Sequence, residues 1–269
     1  MTRIKNPLEL YKVLPKTNCR QCSAPTCLAF SAAVIKGEKH LADCPHIPDS
    51  LTAPLAESIT THKTMEHRRE EALEQLRSTI TTPIDLASAA QKVGAAIVNE
   101  KLAVKCLGRS FFVDALGNVT SECHTHAGMA YILLDHILHS NGAAVAGQWV
   151  PFGELKRGGA MSALFGQTCE KPLKRLADTY TDLFKDLIYI FSGDRSTNMF
   201  SSDVSLILYP FPKVPLLICY WEPEGDMESS LHLFFDSTVE SHLSIESTYA
   251  LGVGLAAMFD KVVLKHNNT

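Results

Sequence analysis

A chain of 269 residues, 46% of them hydrophobic and 20% charged, can bury one large core or two smaller ones without disulfide staples. Its net charge of -4 has neither the basic surplus of a nucleic-acid binder nor the acidic excess of a disordered tail, so no nucleic-acid partner is expected. The opening Met-Thr-Arg-Ile-Lys-Asn-Pro has no signal-like apolar stretch, and no segment reaches the roughly 18 uninterrupted apolar residues of a membrane span; a cytoplasmic protein without membrane insertion is expected. In that reducing compartment the eight cysteines fit metal binding or burial better than disulfides.

Asn6, Pro7 and Glu9 read as an N-cap, a first-turn proline and a near capping box, predicting a short helix to about Leu14 before Pro15. Residues 25–36 carry Cys27, Phe30 and Val34 at helical spacing, with Gly37 as a C-terminal cap. After Pro45 and Pro48, residues 52–81 read as one helix containing a charged run at 63–71, a solvated connector. From residue 82 the composition turns apolar again. A helix is expected over 86–98, strands over 102–106 and 110–113, a turn at Gly117 and Asn118, and a helix over 128–139. A glycine turn at Arg157, Gly158 and Gly159 follows, then a helix near 172–184, strands at 204–209, 214–221 and 231–235, and a last helix at 245–263. This irregular alternation favours α+β over a doubly wound parallel sheet.

Four cysteines are clustered as C-x2-C-x4-C-x16-C, namely Cys19, Cys22, Cys27 and Cys44, with Pro45 directly after the last; Cys106, Cys123, Cys169 and Cys219 are scattered. Four thiolates give one ligand per iron of a cubane, and soft sulfur selects iron–sulfur or zinc over magnesium or calcium. Zinc sites usually pair two C-x2-C knuckles at a distance. Three cysteines within nine residues and a remote fourth before proline are typical of iron–sulfur ligation. A [4Fe–4S] cluster on Cys19, Cys22, Cys27 and Cys44 is expected, with zinc, or a cluster that only staples a small fold, as alternatives. The organisation expected is a cluster-binding module at 1–50, a helical connector at 51–81 and an α+β domain at 82–269.

The residues around the cysteines, Leu14-Pro-Lys-Thr-Asn-Cys-Arg-Gln-Cys-Ser-Ala-Pro-Thr-Cys-Leu-Ala-Phe, then Lys36-Gly37 and Asp43-Cys44-Pro45, resemble the [4Fe–4S] module of the corrinoid iron–sulfur protein family of the carbon monoxide dehydrogenase/acetyl-CoA synthase pathway. A related arrangement occurs in an electron-transport subunit of ion-pumping ferredoxin oxidoreductases. The resemblance spans residues 7–47 and implies delivery of low-potential electrons. Nothing in the sequence resembles the large barrel that completes the corrinoid protein. That family usually has glycine after the first and second cysteines, where this chain has Arg20 and Ser23. Residues 82–265 resemble a domain family of unknown function, number 3786, found mainly in anaerobes and often fused behind the same module. The matching stretches are Gly147-Gln-Trp-Val-Pro-Phe, Asp203-Val-Ser-Leu, Pro210-Phe-Pro-Lys-Val-Pro-Leu-Leu and Phe234-Phe-Asp236-Ser. The resemblance implies an α+β fold and no established reaction.

Neither a P-loop nor a dinucleotide-binding glycine turn occurs, and Gly252 and Gly254 in an apolar helix read as packing positions. Cys123, His124 and His126, with His136 and His139 on the next helix, could form a second metal or haem site, or be buried and surface residues of no such role. Asp203, Glu222, Asp226 and Asp236 bracket the strands and either ring a pocket or serve turns. Trp149 and Trp221 read as core anchors.

These features combine into an electron-transfer or redox accessory protein of anaerobic metabolism, linked to corrinoid or one-carbon chemistry. It is read as a carrier rather than a free-standing enzyme, and its partner as a redox protein or a cofactor-carrying enzyme. The alternatives are a cluster-based redox sensor or assembly factor, and a reductive enzyme holding a tetrapyrrole in the second domain.

Overall fold

The computed structural model describes residues 4, 6–59, 65–122, 125–182, 184, 186, 194–195 and 199–266. The chain divides into two compact units, Met1–Glu71 and Ala72–Thr269.

In the first unit, α1 (Pro7–Val13) starts where Asn6 Oδ1 accepts the Glu9 amide at 2.9 Å. Helix α2 (Cys27–Ile35) starts at Thr26, whose hydroxyl accepts the Ala29 amide at 3.0 Å, and terminates before Gly37, which takes the left-handed conformation at φ 77°. A 3-10 turn (Leu41–Asp43) leads into Cys44, and α3 (Asp49–Ser58) follows. The buried residues of these elements, Leu10, Leu14, Phe30, Val34, Ile35 and Leu41, form one small core together with Ala24, Cys27 and Cys44.

The connector expected as one helix is divided. Helix α3 ends at Ser58 because Ile59 turns extended (φ -83°, ψ 126°) and bridges Ile4, whose amide donates to the Ser58 carbonyl at 2.9 Å. Residues 60–64 lie outside the described residues, and α4 (Met65–Ser78) resumes the helix with exposed pairs Arg69–Glu66 and Arg77–Glu74.

In the second unit, α5 (Leu86–Val93) is capped by Asp85, whose Oδ1 accepts the Ala87 and Ser88 amides at 3.1 and 3.2 Å. The helix expected to reach residue 98 stops at Gly94, which is left-handed at φ 70°, and the apolar residues beyond it form β1 (Ala96–Val98). With β2 (Lys101–Cys106), β3 (Arg109–Val113) and β4 (Val119–Ser121), β1 makes an antiparallel meander in chain order. Leu102, Val104 and Cys106 alternate inward along β2. After α6 (Ala127–His139), a second antiparallel sheet has the order β5-β9-β8-β7-β6, made of β5 (Trp149–Pro151), β6 (Asp194–Arg195), β7 (Val204–Phe211), β8 (Val214–Trp221) and β9 (Ser230–Asp236). Both sheets, α5, α6, α7 (Ser162–Phe165), α8 (Lys171–Thr179) and α9 (Ile245–His266) bury side chains in one shared core, and the fold is α+β.

Between α7 and α8 the helix widens into a π-turn, Gly166–Glu170. The turn aims Glu170 at β9, where its carboxylate accepts the Leu233 amide at 3.1 Å and approaches His232 Nδ1 at 3.4 Å. The β5–β9 ladder ends at Pro151 opposite Phe234, so Glu170 supplies a partner for the next strand amide. Gly252 packs as expected: a Cβ there would lie 2.6 Å from the Phe165 ring. Trp149 and Trp221 sit at strand ends and are only half-buried, so they are not the core anchors expected; the Trp221 ring meets His232 edge-on at 5.9 Å. Among the described residues no helix is long and apolar enough to cross a membrane.

A Cβ on Gly158 would collide with the backbone carbonyl of Phe152, which cannot swing aside as a side chain can. Gly158→Ala is expected to destabilise the second unit by about 2 kcal/mol, read as a lowered urea midpoint. An unchanged midpoint would show that the 152–158 loop has room to yield.

Candidate metal centre

Cys27 occupies the first position of α2, where the amides of the first turn point out of the helix. Asn18 fastens it from the preceding loop: the Asn18 amide donates to Cys27 Sγ at 3.4 Å, and Asn18 Oδ1 accepts the Cys27 amide at 2.8 Å. This reciprocal clasp requires the left-handed backbone of Asn18 (φ 50°), a conformation asparagine tolerates better than most residues. Sequence reasoning missed Asn18. The available signal was an asparagine directly before the first clustered cysteine.

Arg20 and Ser23 follow Cys19 and Cys22 and are both left-handed, at φ 64° and 57°. The loop thus keeps at these two positions the conformation that glycine reaches at least cost, although the side chains are larger. Cys19 is exposed, and hydrogen bonds from the Gln21 amide and the Thr17 hydroxyl hold its thiol below the ordinary range. Cys22 is half-buried against the small core that contains Cys27 and Cys44. Cys44 follows a turn in which the Asp43 carboxylate accepts the His40 amide at 2.9 Å, and its own amide donates to the Leu41 carbonyl at 3.1 Å.

Among the described residues no group of three or more His, Cys, Asp or Glu side chains is gathered to hold a metal ion. That arrangement is the one a single ion needs, whereas the thiols of a cubane each meet a different iron. The residues fit an iron–sulfur group by their chemistry. Four thiols lie on one small module, three of them in or against its core, one at a helix start, and the sulfurs of Cys27 and Cys19 already accept backbone amides.

The other candidates separate. Cys123 and His124 lie outside the described residues. His126 caps α6, its Nδ1 accepting the Met129 amide at 3.3 Å. His136 is fully buried, bonded through Nδ1 to the His242 carbonyl at 3.1 Å, while the exposed His139 pairs with the Glu240 carbonyl at 3.2 Å. Cys106, Cys169 and Cys219 are buried; burial pushes Cys106 up to about 12 and raises the other two, so these thiols stay neutral.

Two of the four strand-end acids, Asp203 and Asp236, serve loops, and Glu222 is exposed. Asp203 accepts the Glu222 amide at 2.7 Å, and Asp226 is exposed. Asp236 is buried and accepts the Ala146 and Gly147 amides at 3.1 and 2.7 Å together with the amide and hydroxyl of Thr238. Burial alone would raise its carboxyl, but these four bonds prevail and lower it. A cavity of about 390 Å³ is lined elsewhere, by residues 79–85 with Ser88, Lys92 and Leu138 among others.

A family described as "Domain of unknown function (DUF3786)" matches residues 85–258, more than half of the chain. The chain belongs to this family. Its DUF3786 segment takes in both sheets and most of α9. A second family, described as "Putative Fe-S cluster", matches residues 14–46, a range that contains all four clustered cysteines. Ahead of the DUF3786 segment the chain is therefore similar to the iron–sulfur cluster family.

Relatives match in that same region. The acetyl-CoA decarbonylase/synthase complex subunit gamma 1 of Methanosarcina thermophila is 49% identical over 43 residues, 16% of this chain and 9% of its own length. The corrinoid/iron-sulfur protein large subunit of Moorella thermoacetica is 49% identical over 43 residues, 16% of this chain and 10% of that one. The gamma subunit of Methanothermobacter thermautotrophicus is 37% identical over 60 residues, 20% of this chain and 13% of its own. The chain thus spans about a tenth of the length of these relatives, and no solved structure matches it.

Proposed function

We propose that Cys19, Cys22, Cys27 and Cys44 hold a [4Fe–4S] cluster and that the protein passes single electrons to or from a redox protein or a cofactor-carrying enzyme in anaerobic one-carbon metabolism. The observation that carries this reading is that all four cysteines fall inside the matched iron–sulfur segment, which is shared with a corrinoid/iron-sulfur protein and with subunits of acetyl-CoA decarbonylase/synthase complexes. When bound, a cluster supplies one-electron chemistry. The chain's own residues set its surroundings: the Asn18 amide draws charge from the Cys27 sulfur, burial of Cys27 and Cys44 excludes water, and exposed Cys19 leaves one side open for exchange. The protein is a cytoplasmic carrier in this reading, and the DUF3786 unit recognises whatever receives the electron.

The test is anaerobic purification with iron and sulfide analysis, followed by a redox titration monitored by electron paramagnetic resonance. About four irons per chain and a reversible couple near or below about -400 mV are expected. Iron-free protein would overturn the cluster assignment. A cluster lost on brief exposure to air, with no reversible couple, would favour a redox sensor instead.

A further inference from the structure

The loop that carries Cys19 is unusual in its charge. Between Glu9 and Glu38 the chain holds Lys12, Lys16, Arg20 and Lys36 and no acidic residue, within a protein whose net charge is -4. Lys12, Lys16, Arg20 and Cys19 are all exposed, and so are Val13 at the end of α1 and Leu28 beside Cys27, at 54% and 42%. Lys16 is held in place, with Nζ 5.6 Å from the Tyr11 ring centroid. Arg20 adjoins Cys19 and Lys16 precedes it by three residues, so both backbones lie within about 11 Å of it, close to one screening length in physiological salt.

We propose that the exposed loop of Cys19, with the exposed basic residues Lys16 and Arg20 beside it in the chain, docks a small acidic electron-transfer protein. The inference rests on the cluster assignment above. The charge is of the sign and position that steers an acidic partner toward the exposed Cys19 thiol. With a cluster bound, the four cysteines would hold the acceptor of the one electron that the partner's reduced centre gives up. Lys12 and Lys16 ligate nothing and lie outside the small core, so reversing them tests the surface without touching the site.

The experiment measures binding of an acidic [2Fe–2S] ferredoxin and of basic cytochrome c to the anaerobically purified full-length protein, at low and moderate salt, beside a Lys12→Glu, Lys16→Glu double variant. Ferredoxin affinity is expected to fall about tenfold or more with salt and by a similar factor in the variant, with no binding of cytochrome c. Salt-independent ferredoxin binding, an unaffected variant, or equal binding of cytochrome c would overturn the docking proposal. Iron and sulfide content measured on the same samples keeps the two readings apart. A full cluster with flat salt dependence defeats only the docking surface, and an iron-free protein defeats the cluster.

Discussion

Replacing Cys27 and Cys44 together with alanine is expected to abolish bound iron and brown absorbance and to loosen the first unit while leaving the second intact. These are the two most buried of the clustered thiols, 8% and 7% exposed, and they belong to the same small core as Phe30, Val34 and Leu41. A module of this size gains much of its stability from metal binding, on the order of 10 kcal/mol for structural sites, because the site does not exist in the unfolded chain. The second unit has a separate core and is expected to unfold in a cooperative transition of its own. Iron analysis and limited proteolysis check both halves of the expectation. Full iron content in the double variant would remove Cys27 and Cys44 from the ligand set.

The second large effect concerns acid and the DUF3786 unit. His136 is fully buried, stacked on Phe211 at 4.6 Å, and its Nε2 has no hydrogen-bond partner among the described residues. Burial disfavours the charged ring, and nearby His242 and Lys213 add to this against the opposing pull of the His242 carbonyl and Asp135, which leaves the pKa at about 4. The unfolded chain takes up this proton below about pH 6.5, and the folded chain refuses it until about pH 4. Stability is therefore complete above the unfolded value and declines as pH falls from about 6.5 to about 4, by roughly 3 kcal/mol in all. Asp236 acts lower on the scale: its depressed carboxyl gives stability that is lost only as pH falls below the ordinary carboxylate range. His136→Phe should therefore flatten the urea midpoint between pH 6.5 and 4.5 relative to the parent. An undiminished slope in the variant would assign the acid sensitivity to other groups.

What the sequence made legible was local. Asn6 marks a helix start through its bond to the amide three residues on, and Gly37 marks a helix end. The cysteine spacing was equally plain. The errors were made where distant contacts decide. The apolar run at 95–98 looks helical until Gly94 turns left-handed and the run pairs with β2, and the connector looks continuous until Ile59 bridges Ile4. Trp149 and Trp221 look like core residues by type, but their places at strand ends keep them half-exposed. Asn18 escaped notice for the same reason. Its bond to Cys27 spans nine residues and depends on a backbone conformation that no spacing rule encodes.

The π-turn before α8 constrains how this part of the chain can change in length. A helix advances about 100° per residue, so deleting one residue from Gly166–Glu170 would restore a regular helix and rotate Glu170 away from Leu233. The amide beyond the end of β5 would then be left for another strand to pair with. Substitutions within the turn alter packing one contact at a time, whereas a one-residue deletion would uncover a strand amide at the edge of the sheet.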